Sequence, residues 1–180
     1  RAQQLTRERS AFRADQFRAD GNFRAHHLHT GPEILRQTGG RFDAFCDFVG
    51  TAGSLAGCSA AFKAHDPRIQ CLAVEPDGAA VLAGFPASAP GHPIQGGGYA
   101  MRDLEMLKRA RVDGYLQVTG EEAAQAARDL ARVEGIFAGY SSGANLAAAR
   151  QLLSGRFRGG TVVVLLNDSG LKYLSTDLWG

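Results

Sequence analysis

Lysine is scarce in this 180-residue sequence. Of its 20 basic residues only Lys63, Lys108 and Lys172 are lysines, so chemistry that needs an amine nucleophile has three candidates. Cysteine is equally rare. Cys46, Cys58 and Cys71 are odd in number, lie in apolar segments and form no CxxC pair, which speaks against a disulfide frame or a cysteine zinc site. They read as small buried hydrophobes in a reducing compartment, and a cytoplasmic location is expected. No apolar stretch approaches the roughly 20 residues of a membrane span; Val162–Leu166 is strand-sized. A strong charge bias is missing too. Lys+Arg 20 against Asp+Glu 18 leaves +2, and residues 1–41, with eight arginines and four acids, hold the excess as a basic leader. That leader is too diffuse for the positive stripe that nucleic-acid binding uses, so neither nucleic acid nor membrane is an expected partner. The first residues are polar and begin at Arg1; no signal peptide is expected, and the chain reads as a piece of a longer protein.

What remains is ordinary globular composition, 44% hydrophobic and 21% charged. Residues 1–12 read as the end of a helix and 13–29 as an irregular polar-aromatic segment. Thr30-Gly31-Pro32-Glu33 has the pattern of a capping box opening a short helix that stops at Gly39-Gly40. Strands are expected over 42–49, 69–74, 114–118 and 161–166, the last one buried. Helices are expected over 54–64, from Thr119-Gly120-Glu121-Glu122 to about Glu134, and over 142–153. Residues 75–100 are too rich in glycine and proline for regular structure, and 102–109 suit a helical turn. Strand–helix alternation with nearly all-apolar strands implies an α/β fold: an open, mostly parallel sheet with helices on both faces.

Ligands of such sheets bind beyond the carboxyl ends of the strands. Three strand-end loops carry suitable residues. Gly50-Thr51-Ala52-Gly53-Ser54 is a glycine turn entering a helix, where backbone N–H groups and two hydroxyls can converge on a phosphate; it also reads as a plain tight turn. Glu75 mimics the ribose-binding acid of a dinucleotide fold, but Ala52 stands where that fingerprint needs glycine, so a single phosphate fits better. There is no GK[ST]. Gly139-Tyr140-Ser141-Ser142-Gly143 matches the G-x-S-x-G nucleophile elbow, yet no histidine follows Ser141 to complete a triad. Ser141 is then a helix N-cap or a hydrogen-bond partner for a ring nitrogen. The third loop is Asn167-Asp168-Ser169-Gly170. His26, His27 and His29 match no metal-ligand spacing, and no metal is expected.

Together these segments resemble one family. Gln16-Phe17, Asn22, His26, Thr30-Gly31-Pro32-Glu33-Ile34, Gly50–Ser54, Val74-Glu75-Pro76, Ile94-Gln95-Gly96, Ser141-Ser142-Gly143-Ala144 and Asp168-Ser169-Gly170 with Tyr173-Leu174-Ser175-Thr176 follow the order and spacing of the cysteine synthase (O-acetylserine sulfhydrylase) and cystathionine β-synthase family. These are fold-type II pyridoxal-phosphate enzymes. The resemblance implies that residues 16–180 are the large, phosphate-binding C-terminal domain behind a basic helical leader, 1–15. It implies pyridoxal 5'-phosphate held by Gly50, Thr51, Ala52, Gly53 and Ser54, with Ser141 at the pyridine nitrogen and Gln16 and Gly96 near the amino-acid substrate. The implied reaction is β-replacement or β-elimination: acetate leaves O-acetylserine or a related amino acid, and sulfide adds to give cysteine. The resemblance also implies a homodimer at full length.

Departures stand beside it. Ala52 and Ser54 replace a glycine and a threonine of the family's phosphate loop, the Ala52 methyl can crowd a phosphate, and Tyr140 and Asn145 are unusual beside the serines. No lysine lies in a glycine- or serine-rich turn, so no catalytic residue is expected in this chain; the resemblance places the Schiff-base lysine upstream of Arg1. On that view the chain alone catalyses nothing. The alternatives are a non-catalytic binding or regulatory protein that keeps the fold without the lysine, and a nicotinamide enzyme in which Glu75 reaches a ribose.

Overall fold

Four short apolar runs pair side by side into one parallel sheet. In the computed structural model, which describes all of residues 1–180, β1 (Ala44–Phe48), β2 (Gln70–Pro76), β3 (Gly114–Val118) and β4 (Val162–Val164) lie in the order β3-β2-β1-β4. All three pairings are parallel. The chain builds outward from β1 to β3 and then returns to lay β4 on the other side of β1. That reversal opens a crevice between the carboxyl ends of β1 and β4, the place where open α/β sheets take their ligands.

Because helices cover both faces, β1 is buried along its whole length. Ala44, Cys46 and Phe48 face one core, shared with α5 (Gly120–Glu134) and α6 (Tyr140–Ser154). Phe45 and Val49 face the other, shared with α4 (Gly53–His65). Small residues let these helices approach. A Cβ on Gly143 would stand 2.0 Å from the Ala123 carbonyl oxygen, so α6 and α5 meet backbone to backbone. The cysteines are free and buried. No helix is long and apolar enough to cross a membrane.

Ahead of the sheet, α1 (Ala2–Arg9) buries no residue, and α2 (Asp20–Ala25) runs through a π-helical turn (His26–Thr30) into α3 (Gly31–Thr38). Two expectations fail here. Residues 20–29 are helical rather than irregular, because Phe23 is pinned: the Arg109 guanidinium lies 3.6 Å over its ring and His27 stacks on it at 5.3 Å. The Thr30 capping box does not form, since Thr30 sits inside a helix already running and its hydroxyl meets His26 Nδ1 at 3.1 Å. The π turn is where that helix absorbs the N–H missing at Pro32. A third correction concerns β4, which is half-buried, because it pairs only with β1 and leaves its outer edge open.

Candidate functional site

The turn after β1 is held open by its own backbone. Ala52 adopts a left-handed conformation (φ 66°, ψ 10°) just ahead of α4, so successive N–H groups point to one side. The amides of Gly50, Thr51, Ala52, Ser54 and Leu55 have no acceptor in the chain, and that of Gly53 reaches only the Thr51 hydroxyl at 3.4 Å. Buried amides are rarely left unpaired. Ala52, Gly53 and Leu55 are all buried, so the turn presents a concave row of donors at the positive end of a 13-residue helix.

Its two hydroxyls are used differently. Asn22 Nδ2 donates to Thr51 Oγ1 at 2.8 Å and to the Gln16 carbonyl at 2.7 Å. Thr51 Oγ1 therefore only accepts within the chain, and its proton is free for an anion. Ser54 Oγ instead donates to Asp47 Oδ2. Asp47 is a β1 residue only 1% exposed. Burial pushes its carboxyl up to about 6, against the opposing hydrogen bonds from Ser54, Asn145 and the Phe48 amide. Asn145 reaches it from α6, with Nδ2 3.4 Å from Asp47 Oδ1 and 2.9 Å from the Leu165 carbonyl. It fills the gap where β4 has ended and β1 continues.

Helices α4 and α6 lie on opposite faces of the sheet, but both begin at its carboxyl edge, and Ser54–Asp47–Asn145 links them through the crevice. Ser141, 5% exposed, occupies the second position of α6 and makes no cap bond; Gly139 is the cap residue. The N-cap reading of Ser141 is therefore corrected. Beside it, Ser142 Oγ accepts from the Asn167 amide at 2.9 Å. The Gly139 amide donates to the Asp168 carbonyl at 3.1 Å. Gly139 is required where it stands, since a Cβ there would lie 2.2 Å from the Tyr173 ring and 2.3 Å from Asp168 Oδ1. The loop after β4 is thus stitched to the start of α6.

The segment around Ile94–Gly98 closes over the turn. The Gly98 amide donates to the Val49 carbonyl at 3.0 Å, and a Cβ on Gly50 would meet the Gly96 carbonyl oxygen at 2.5 Å. Gly96 and, through Asn22, the backbone of Gln16 are therefore brought to the turn. Glu75 is not. Its two carboxylate oxygens each accept a backbone amide at 2.8 Å, from Leu82 and Ala83, bracing the loop after β2. A ribose-binding role for Glu75 loses its ligand. The lysines also point elsewhere: Lys63 pairs with Asp113 at 2.7 Å, Lys108 with Asp103 and Glu105 at 2.9 and 3.0 Å, and Lys172 lies 3.7 Å from Asp168.

Residues 1–168 match the family model described as pyridoxal-phosphate dependent enzyme. The chain belongs to that family. A cysteine synthase of Staphylococcus aureus is 38% identical over 181 residues, which cover 99% of this chain and 57% of that protein. Among solved structures, an O-ureido-L-serine synthase superposes with a TM-score of 0.91 at 34% identity, covering 99% of this chain and 56% of its own. Isoform 3 of O-acetyl serine sulfhydrylase from Entamoeba histolytica gives 0.84 at 34%, covering 98% and 52%. The chain thus spans about half the length of these relatives. The residues present fit the family's pyridoxal phosphate at its phosphate end, where a row of acceptor-free amides and the Thr51 hydroxyl offer donors to a dianion. Asp47 and Asn145 escaped sequence reasoning as site residues. An acid within an apolar strand and an asparagine among alanines were the signals.

Proposed function

We propose that these 180 residues supply the cofactor-phosphate side of a cysteine-synthase-like enzyme that replaces the β substituent of O-acetylserine or a related amino acid, with sulfide as the incoming nucleophile. The observation that carries this is the set of acceptor-free amides at Gly50, Thr51, Ala52, Ser54 and Leu55, at the crevice between β1 and β4. Pyridoxal phosphate, when bound, supplies the electron sink that lets a group leave the β carbon. Gly50 to Ser54 hold the phosphate through their amides, with the Thr51 hydroxyl as a further donor. Ser141, near-buried at the start of α6, offers a neutral hydroxyl to the pyridine nitrogen. A hydroxyl there holds no full positive charge on the ring, which suits elimination and replacement better than transamination. Gln16 and Gly96 flank the amino acid. The relatives' names support the substrate class, since cysteine synthase, O-acetyl serine sulfhydrylase and O-ureido-L-serine synthase all denote three-carbon amino acids substituted at the β carbon.

The reading assigns the lysine that anchors the cofactor to the part of the relatives' length these residues do not span. One observation favours a second reading, a non-catalytic binding or regulatory protein: every lysine here is engaged with carboxylates away from the turn. The intact natural protein separates the two. Bound cofactor whose absorbance shifts on adding O-acetylserine, with cysteine formed from sulfide, supports the enzyme. Bound cofactor without shift or turnover supports the second reading, and no bound cofactor overturns both.

A further inference from the structure

We propose that the anion cradle of residues 50–55 binds a dianion together with one proton, and that Asp47 is the group that takes the proton up. The inference rests on the cradle reading above and adds to it a residue that would otherwise oppose binding.

A carboxylate directly behind a phosphate cradle is electrostatically adverse, and no cation offsets this one. From β1 and α4 it faces the thiols of Cys46 and Cys58, both kept neutral by burial. From α6 and the end of β4 it faces only the Asn145 amide, within reach of the Leu165 carbonyl. No histidine of the adjoining segments pairs with Asp47, and His27 stacks on Phe23 at 5.3 Å. His26 packs at Gly57 of α4 with its Nδ1 on Thr30, and His92 sits on the Gly98 carbonyl at 3.0 Å. No lysine or arginine pairs with Asp47.

The hydroxyl of Ser54 transmits the conflict. It has one proton, and that proton is given to Asp47 Oδ2. While Asp47 is ionised, Ser54 can turn only lone pairs toward an anion at its own amide. If Asp47 Oδ2 gains a proton from solvent, the bond reverses: Asp47 donates to Ser54 Oγ, and Ser54 donates its own proton to the anion. One proton enters, no other bond changes, and Asn145 still donates to Oδ1. A repulsive acceptor becomes a donor, and the buried charge disappears. Burial already pushes the Asp47 carboxyl up, to about 6, so an arriving dianion needs only to complete a shift that the fold has begun.

Inorganic sulfate is the probe, because it stays dianionic across the range where phosphate itself titrates. Calorimetry of sulfate binding in buffers of different ionisation heat at neutral pH is expected to show uptake of close to one proton. Affinity is expected to fall by up to roughly tenfold per pH unit above about pH 6. Asp47→Asn carries a permanent donor for Ser54; it is expected to bind sulfate without proton uptake, with a flat pH profile, and more tightly than the parent at pH 8. The histidines are untouched by this variant, so a pH dependence that survives it overturns the proposal. Sulfate binding by the parent chain without proton uptake overturns the role of Asp47 and leaves the cradle standing; this measurement needs no variant to fold. Failure to bind sulfate at any pH overturns the cradle and the proposal with it.

Discussion

Two strand-to-helix junctions sit on the same edge of the sheet and solve the same problem in opposite ways. Between β3 and α5, Thr119 Oγ1 accepts the Glu122 amide at 3.1 Å and Glu122 Oε2 accepts the Thr119 amide at 2.8 Å. The reciprocal cap takes up the Thr119 and Glu122 amides, and the Ala123 amide reaches the Thr119 carbonyl at 3.1 Å. Between β1 and α4 the N-cap residue is Ala52, which has no side-chain acceptor, and the nearby Ser54 hydroxyl is turned down to Asp47. The amides of the turn are left over. The turn at 50–55 leaves more amides without an acceptor than the capped start of α5 does.

The contrast breaks most severely if the turn is displaced. Gly50→Ala puts a methyl 2.5 Å from the Gly96 carbonyl, and both neighbours are backbone. We expect about 2–3 kcal/mol of lost stability in denaturant titration and at least tenfold weaker sulfate binding. Next is the buried acid. The unfolded chain ionises Asp47 at its ordinary 3.8, while the folded chain keeps the proton to about 6. Between those values the folded state binds more protons, so this residue's contribution to stability falls as pH rises through the window, by on the order of 3 kcal/mol, and levels off above it. Thermal unfolding across that range should show the decline in the parent and lose it in Asp47→Asn. Thr119→Ala sharpens the comparison from the other side. It removes a cap worth about 1 kcal/mol and should leave sulfate affinity unchanged, because that junction holds no anion.

Smaller effects follow at the turn and across the crevice. Ala52→Gly relieves a left-handed alanine; we expect roughly 1 kcal/mol of added stability and tighter sulfate binding as the methyl disappears. On the proposed function, Ser141→Ala in the intact protein should lower turnover by about fivefold, the equivalent of one hydrogen bond of about 1 kcal/mol, with an unchanged melting temperature.

Local signals were legible in the sequence and long-range ones were not. The strand at 114–118 and the Thr119 cap are written within a few residues of themselves, and both stand where the pattern put them. The glycine turn was legible because it lies between an apolar run and a small-residue helix. The Thr30 pattern is identical in kind to that of Thr119 and misled, because a capping box needs the chain to arrive extended and here it arrives as a helix. Asp47 interrupts an apolar strand and so resembles a solvent-facing position, but a strand covered on both faces has none. Its partner Asn145 lies 98 residues away. The closure of that pair depends on β4 returning beside β1, a fact of topology that no local window contains.

The central claim is that the amides of residues 50–55 receive an anion while the equivalent amides before α5 do not. Backbone amide NMR shifts during a sulfate titration test it most directly. The account expects saturable shifts at Gly50, Thr51, Ala52, Gly53, Ser54 and Leu55 with Glu121 and Glu122 unmoved. Equal movement at both junctions, or none over 50–55 while other amides respond, would contradict it.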